Sequence, residues 1–488
     1  MPLFLEVFIM DFLSLPPSYT TPMSVRGFMI FEDAKLPDSL APYSDFLSKW
    51  GKKGAIQFIP LSEGSYWLAV IGLGKRVERS SDLTTLYRNK TAEYIRKGTT
   101  IGLKIFSLAL PEPPTAASSK AIAEGAILGN YRFTKYRTTD TSPAATCESF
   151  FLEGGDLQAM EQGRHVATAQ TYSRDLANEP GNVITPLIMA DIAREIASRH
   201  GMELTILDEQ QIQDKGLLAL WHVGKGSKTP PRLVHLTYHP QGEETLGKIA
   251  LVGKSVTFDS GGLCIKTRDG IKTMKCDKTG ACNVLGIMNA LPALQCPYEV
   301  HGLFGAVENM PDGNAYRPDD IIRAFNGKTI EIKNTDAEGR VTLADMLAYT
   351  STLKPNAIID MATLTGAAVT ALGNYTAGLV SDWDKLSNDV LLSAEKAGER
   401  FHRFAMDDEK LREQIDTPYA DVVNTGGPGG GVITAGMFLR EFVDPTIPWA
   451  HLDIAAVDYY EKEFDCYGLG ASAFATRTCL EYLLAEHK

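Results

Sequence analysis

Short apolar runs of strand character alternate along this chain with segments of helical spacing, and that order constrains the fold more than any other feature. Beyond about residue 180, strands are expected at 204–207, 233–237, 248–252, 299–307, 329–333 and 356–361, with helices between several of them, notably 281–294 and 343–353. Repeated β-then-α order implies a mainly parallel sheet covered by helices on both faces. Sites in such sheets lie in the loops beyond the carboxyl ends of the strands. The first 150 residues also alternate. Strands are expected at 54–60, 65–73 and 101–110, a helix at 82–97 with Leu83, Leu86, Tyr87, Ala92 and Ile95 on one side, and another at 116–131.

At 488 residues the chain exceeds what one hydrophobic core serves, so the expected class is α/β with two α/β domains. The limits read from the sequence are an N-terminal domain at 1–155, a linking helix at 156–180 and a C-terminal domain at 181–488. A polar stretch at 135–149 leads toward the first boundary. The helix ends before the turn-rich Asn178-Glu179-Pro180-Gly181-Asn182.

Composition narrows the class of function. Hydrophobic residues at 44% and charged residues at 22% describe a globular chain rather than a disordered one. The net charge of -12 weighs against nucleic-acid or anionic-membrane surfaces, which would repel it. Seven scattered cysteines form no C-x-x-C pair, which argues against a structural zinc site. The start, MPLFLEVFIMDFLSL, is apolar but carries Glu6 and Asp11 and lacks a basic beginning, so it reads as a first strand rather than a signal peptide. No apolar run reaches the roughly 18 residues of a membrane helix. A cytoplasmic protein with no membrane partner is expected.

Two segments carry residues suited to chemistry. In the first, LVGKSVTFDSGGLCIKTRDGIKTMKCD at 251–277, an apolar strand delivers Lys254 and Asp259 into a Gly261-Gly262 turn, followed by Lys266 and Asp277. In the second, NTDAEGR at 334–340, Asp336 and Glu338 are two apart, so extended backbone would point both carboxylates to one side. Carboxylates gathered at strand ends repel one another unless cations lie between them, and divalent metal is the economical resolution. Oxygen-rich sites suit Mn²⁺ or Mg²⁺, and Zn²⁺ also accepts carboxylates. Lys266 and Arg340 would then be placed to stabilise a developing oxyanion. Taken singly, each of these residues is more often a solvated face, a turn or surface charge. The joint arrangement is what points to a site.

Competing motifs fail on spacing. Gly253-Lys254-Ser255 ends like a phosphate-binding loop, but five residues separate Gly247 from Gly253 instead of four, and they read as strand, not a glycine-rich loop. His235 and His239 lack the glutamate of H-E-x-x-H and read as structural histidines. No G-x-S-x-G elbow occurs, and 426–431 (GGPGGG) reads as a flexible loop possible beside a site.

NTDAEGR resembles the signature of the leucyl (cytosol) aminopeptidase family. VGKSVTFDSGG with Ile265-Lys266, MPDGNAYRPDD at 310–320, SRDLANEPGN at 173–182 and ATLTGA at 362–367 resemble further family segments in the expected order. The resemblance covers roughly residues 160 to 488 and makes 181–488 a catalytic metallopeptidase domain. It implies two divalent metal ions, Mn²⁺ or Zn²⁺. One would be held by Lys254, Asp259, Asp277 and Glu338, the other by Asp259, Asp336 and Glu338 with the Asp336 carbonyl. Lys254 as a ligand would have to be neutral. The implied reaction is removal of the N-terminal residue, leucine or another mainly apolar one, from peptides by a hydroxide bridging the two metals. Lys266 would stabilise the oxyanion and a bicarbonate beside Arg340 would shuttle the proton. Met274, Thr363, Leu364, Gly366 and Ala455 would contact substrate. A homohexamer is also implied. Some bacterial relatives double as DNA-binding architectural or regulatory proteins, which supplies the alternative function.

Two positions depart from the family pattern. Lys278 follows Asp277 where a small or apolar residue is usual, and is expected either to face away or to alter metal affinity. Asp458 stands where relatives often carry an apolar pocket residue and is expected to point away. Lining the pocket instead, it would favour basic first residues.

Overall fold

The computed structural model describes residues 10–13, 23–43, 52, 54–61, 66–139, 145–242 and 245–487. The chain divides into two compact units, Met1–Thr171 with Tyr460–Leu469, and Tyr172–Tyr459 with Gly470–Lys488. The break falls inside the helix Leu157–Asn178, within the stretch read from sequence as a linking helix, whereas the return of segment 460–469 to the first unit has no signature in local sequence.

The first unit is built on a six-stranded sheet in the order β1-β6-β5-β2-β4-β3. Its strands are β1 (Asp11–Phe12), β2 (Ser24–Phe31), β3 (Ile56–Leu61), β4 (Tyr66–Gly74), β5 (Ile105–Ala109) and β6 (Ser149–Leu152). All pairings are parallel except β3 with β4. Helices α1 (Ser80–Thr100) and α2 (Ala116–Asn130) accompany it. The strand expected at 101–110 is shortened by the end of α1. Gly102 takes a φ of 90°, and Leu103 N–H reaches back to the Gly98 carbonyl at 3.0 Å, which closes the helix before the strand begins. Of the expected first strand only β1 is seen; residues 1–9 and 14–15 lie outside the described residues. Phe106, Phe150, Ile95 and Ala126 are wholly buried in this unit's core.

Helix α3 (Leu157–Asn178) carries the chain across the boundary, and α4 (Pro186–His200) follows. The second unit holds an eight-stranded sheet in the order β15-β14-β17-β13-β9-β10-β8-β7. Its strands are β7 (Glu203–Leu207), β8 (Arg232–Tyr238), β9 (Lys248–Asp259), β10 (Glu299–Asn309), β13 (Ala357–Ala362), β14 (Ala377–Val380), β15 (Phe401–Phe404) and β17 (Trp449–Asp453). The four central strands, β17, β13, β9 and β10, run parallel. The flanks introduce antiparallel pairings at β10/β8, β8/β7 and β14/β17. A small sheet orders β11 (Ile321–Arg323), β12 (Thr329–Glu331) and β16 (Val422–Val423).

Helices cover both faces of the large sheet, as the glycines of β10 record. A side chain at Gly302 would strike Met288 and Val284 of α5 (Thr279–Leu294), whereas one at Gly305, on the opposite face, would strike Met346 of α6 (Glu338–Ser351). Further helices in this unit are α7 (Gly366–Leu372), α8 (Asp384–Ala397) and α9 (Gly431–Arg440).

Strand β9 runs seven residues beyond the apolar stretch that announces it, through Lys254, Ser255, Thr257 and Asp259, because β10 keeps pairing with it as far as Asp259 after β13 has parted at Gly253. The first turn of α5 lies directly against its backbone. A Cβ at Gly253 would come within 2.5 Å of the Ala281 nitrogen, and one at Gly280 within 2.0 Å of the Met361 carbonyl oxygen. Both obstacles are backbone and cannot rotate away. Gly280→Ala is therefore expected to cost about 2–3 kcal/mol through overpacking, read as a lower urea midpoint; an unchanged midpoint would show that α5 can retreat freely.

Candidate active site

The site assembles where β9, β10, β13 and β17 end side by side. Asp259 closes β9 opposite Asn309 at the end of β10. The chain then turns through Gly261 (φ 89°) and Gly262 (φ 64°), a backbone only glycine adopts without strain. A side chain at Gly261 would meet the Cys264 carbonyl at 2.5 Å and the Asp336 carboxylate at 2.9 Å. The Thr335 hydroxyl donates to the Gly261 carbonyl (2.7 Å) and accepts from Cys264 N–H (2.8 Å), and Lys266 N–H reaches the Ser260 carbonyl (2.9 Å). These bonds fold the loop back so that Lys266 faces Asp259.

The second segment does not continue as extended backbone. Asp336 lies in a turn and Glu338 opens α6. The Asn334 side chain accepts from Asp336 N–H at 2.9 Å, and this local turn outcompetes the strand read from the two-residue spacing. Asn424 fixes the base of the turn, accepting from Lys333 N–H (2.8 Å) and donating to the Asn334 carbonyl (2.7 Å). Glu338 still joins Asp259 and Asp336, with carboxylate oxygens of all three within 4.8 Å of one another. Its place in the first turn of α6 favours negative charge. Gly339 leaves room for Lys254, whose Cε lies 2.5 Å from where a Cβ would be.

Two lysines thread the carboxylates. Lys254 Nζ lies 2.8 Å from Asp277, 2.9 Å from Glu338 and 3.0 Å from the Thr363 carbonyl. Lys266 Nζ lies 2.7 Å from Asp259 and 2.6 Å from Asp336. Burial pushes the Asp277 carboxyl well above its ordinary range and raises Asp259 and Asp336, with like charges adding to the effect at all three. Burial acts downward on Lys254, but Asp277, Glu338 and Asp259 outweigh it and hold the ammonium above its usual value. The expected neutral lysine is thus opposed by the protein's own groups, and only an added cation could favour it. Asp277 Oδ2 and Glu338 Oε2 are buried without hydrogen-bond partners. Four carboxylates against two lysines leave negative charge uncompensated, and unsatisfied carboxylate oxygens are what a divalent ion takes up. The donor set fits metal. Arg340, in the first turn of α6, is buried with its Nε unpartnered, and burial draws it down to about 10.

The expected substrate contacts come from three places. Thr363, Leu364 and Gly366 follow β13, Ala455 follows β17, and Met274 begins the short turn Met274–Cys276 ahead of Asp277. The Thr363 hydroxyl donates to Asp277 at 2.8 Å, which ties this loop to the carboxylates. Met274 borders a cleft of about 510 Å³ with Phe258, Ile271 and Met310; the other four do not line it.

Lys278 faces away from the carboxylates. It is fully buried, and Nζ donates to the carbonyls of Glu179 (2.9 Å), Ala177 (3.4 Å) and Lys275, while Lys275 Nζ donates to the Asn178 carbonyl (2.6 Å). The two lysines therefore pin the Asp277 turn onto the carboxyl end of α3, where cations are favoured. Asp458 is buried beside Thr279 and Lys278; burial pushes its carboxyl up to about 7, and Oδ1 has no partner. His235 pairs with His301 at 2.8 Å, well apart in sequence from the carboxylate segments.

Residues with no motif to announce them complete the arrangement. Asn309 donates to Asp259 (2.8 Å) and to the Thr335 carbonyl (3.0 Å), which also accepts from Tyr316 (2.7 Å). Asp453, at the end of β17, binds the loops after β13 and β17. Asn309 and Tyr316 flank or fall within segment 310–320, the one signal that could have drawn attention to them.

Comparison with known proteins bears on this geometry. Residues 171–480 match the catalytic-domain model of the cytosol aminopeptidase family, and residues 45–140 match that family's N-terminal domain. The chain belongs to the cytosol aminopeptidase family. A probable cytosol aminopeptidase of Aquifex aeolicus is 49% identical over 437 residues, covering 89% of this chain and 88% of the relative. One from a Sulfurihydrogenibium species is 45% identical, covering 86% and 84%. Among solved structures, the bottromycin maturation enzyme BotP in complex with Mn superposes with a TM-score of 0.86 at 35% identity, covering 95% and 99%. A variant of tomato leucine aminopeptidase does so at 0.87 and 30%, covering 98% and 96%. Family membership makes this protein a metal-dependent aminopeptidase, a metallo-exopeptidase of α/β class. No comparison supports the DNA-binding alternative.

If the lysine clamp on α3 is what holds the Asp277 turn, Lys278→Met will strand carbonyls in a dry interior. A loss of about 2–4 kcal/mol is expected, measured by chemical unfolding; stability within 0.5 kcal/mol of the parent would refute the clamp.

Proposed function

We propose that the enzyme removes N-terminal residues, leucine and other mainly apolar ones, from peptides using two divalent ions, Mn²⁺ or Zn²⁺. Lys254, Asp259, Asp277 and Glu338 would hold one, and Asp259, Asp336 and Glu338 the other. The observation that carries this reading is the set of four carboxylates, Asp259, Asp277 and Glu338 buried and Asp336 half-buried, with unpartnered oxygens at Asp277 and Glu338. The complex of BotP with Mn supports manganese as one candidate. When bound, the ions would supply Lewis acidity toward the scissile carbonyl and lower the pKa of water.

The chain's own residues do the remainder. Lys266 keeps an ammonium at the mouth of the carboxylates, where it donates to a carbonyl oxygen that gains negative charge. Arg340, a buried cation with a free Nε–H, would hold a small anion, and bicarbonate suits it as a carrier of the proton. The half-buried Met274, Thr363, Leu364 and Ala455 with the open Gly366 would receive the first side chain. We further propose that residues 181–488 form the catalytic domain, joined by 156–180 to an N-terminal domain at 1–155, and that the enzyme works as a cytoplasmic homohexamer. Among the described residues no helix is long and apolar enough to cross a membrane.

The test is hydrolysis of leucine p-nitroanilide by metal-stripped protein with Mn²⁺ or Zn²⁺ restored. Activity should return with metal and be lost in Glu338→Ala, together with at least about 100-fold of metal affinity. Lys266→Met should retain metal but lose roughly 10²–10³ in kcat, the usual effect of deleting an oxyanion donor. Full activity in Glu338→Ala would defeat the ligand assignment, and a kcat unmoved in Lys266→Met would defeat the oxyanion role.

A further inference from the structure

Strands β13 and β17 are parallel neighbours in register, Ala362 opposite Asp453, and the loops beyond their ends carry Thr363 to Gly366 and Ala455. One carboxylate serves both loops. Asp453 Oδ1 accepts from Leu364 N–H (3.2 Å), Thr365 N–H (3.4 Å) and Ala455 N–H (3.2 Å), and Oδ2 accepts from the Thr365 hydroxyl (2.6 Å). The Thr365 hydroxyl in turn accepts from Ala368 N–H (3.1 Å) and so fixes the first turn of α7. Asp453 itself is wholly buried.

We infer that Asp453 is a positioning residue for first-residue selection: its carboxylate sets the spacing between the loop at 363–366 and the loop at 455. The inference rests on the proposed reading that these loops receive the first side chain of the peptide. Four donors from two loops converge on this group, so each loop's backbone is placed relative to the other through it. A small movement at Asp453 widens or narrows the space between Leu364 and Ala455. The carboxylates lie on the other side of Thr363, whose hydroxyl binds Asp277 and whose carbonyl accepts from Lys254. The pocket spacing can therefore change while the carboxylate cluster keeps its own contacts. Asp453 touches neither substrate nor reacting atoms in this scheme.

The test compares kcat and KM for glycine, alanine, leucine and phenylalanine p-nitroanilides in the parent, Asp453→Asn and Thr365→Val, alongside Mn²⁺ affinity by calorimetry. Asp453→Asn keeps shape and one acceptor oxygen; Thr365→Val removes the hydroxyl bridge together with its cap on α7, leaves the Asp453 charge in place, and remains informative should the aspartate variant misfold. In both, kcat/KM for leucine is expected to fall at least fivefold more than for glycine, mainly through KM, with Mn²⁺ affinity within twofold of the parent. Equal losses on all four substrates, or loss of Mn²⁺ binding in step with activity, would reduce Asp453 to a structural support and overturn the inference. A parent enzyme that cuts no anilide with any metal overturns the peptidase reading and this inference together. A parent that cuts while both variants keep the leucine-to-glycine ratio overturns the role of Asp453 alone.

Discussion

Mutual repulsion among four clustered carboxylates, three of them buried and Asp336 half-buried, is the constraint around which the second unit is organised. Two unit charges 4 Å apart interact by about 4 kcal/mol at an effective dielectric constant near 20. A few such pairs rival the whole stability of a domain. The chain answers by inserting Lys254 between Asp277 and Glu338 and Lys266 between Asp259 and Asp336, each within 3 Å of two carboxylates. Even so, burial and like charge hold Asp277 and Asp259 above the ordinary carboxylate range. A fold that tolerates this does so because the site gains something from the excess negative charge, and divalent metal is the chemistry that uses it.

Holding such a cluster demands a rigid frame, and the frame is mostly backbone. Asp259, Asn309, Thr363 and Asp453 sit at or just beyond the ends of four adjacent parallel strands, so sheet hydrogen bonds fix their spacing. Glycines then bring the backbone closer than any side chain would allow: Gly280 against Met361, Gly339 against Lys254, Gly261 against Asp336. Asp277 comes from a turn rather than a strand and needs a separate anchor, which Lys275 and Lys278 supply at the carboxyl end of α3. Of the two expectations for Lys278, facing away or altering metal affinity, the side chain takes the first, and its three carbonyl acceptors make it part of the support.

Legibility in the sequence followed the range of the forces involved. Alternating strand and helix, the covered sheet and the gathering of Lys254, Asp259, Lys266, Asp336 and Glu338 could be read because each rests on local pattern or on charge chemistry that has few solutions. At Asp336 and Glu338 spacing alone cannot separate a strand from a turn that opens a helix; Asn334, whose side chain closes that turn, holds the missing cue. The polar half of β9 was hidden because its residues belong to the site, so burial there does not follow hydrophobicity. Asn309, Asn424 and Asp453 were illegible for a different reason. Their partners are mostly backbone groups from segments tens of residues away or more, and nothing in the neighbouring sequence encodes them.

The same separation of forces bears on how metal binding and substrate choice coexist in one small volume. Thr363 faces the carboxylates through Asp277 and Lys254, while Leu364 and Thr365, the next residues, face Asp453. Consecutive positions thus answer to different anchors, one charged cluster on each side. The carboxylate cluster tolerates little displacement, because Coulomb energy changes steeply at contact distance. Backbone N–H bonds of 3.2–3.4 Å to Asp453 are longer and softer. On the proposed reading of these loops, substitutions behind Asp453 would retune the space offered to a side chain, whereas substitutions behind Asp277 or Glu338 would put the charge balance of the site at risk.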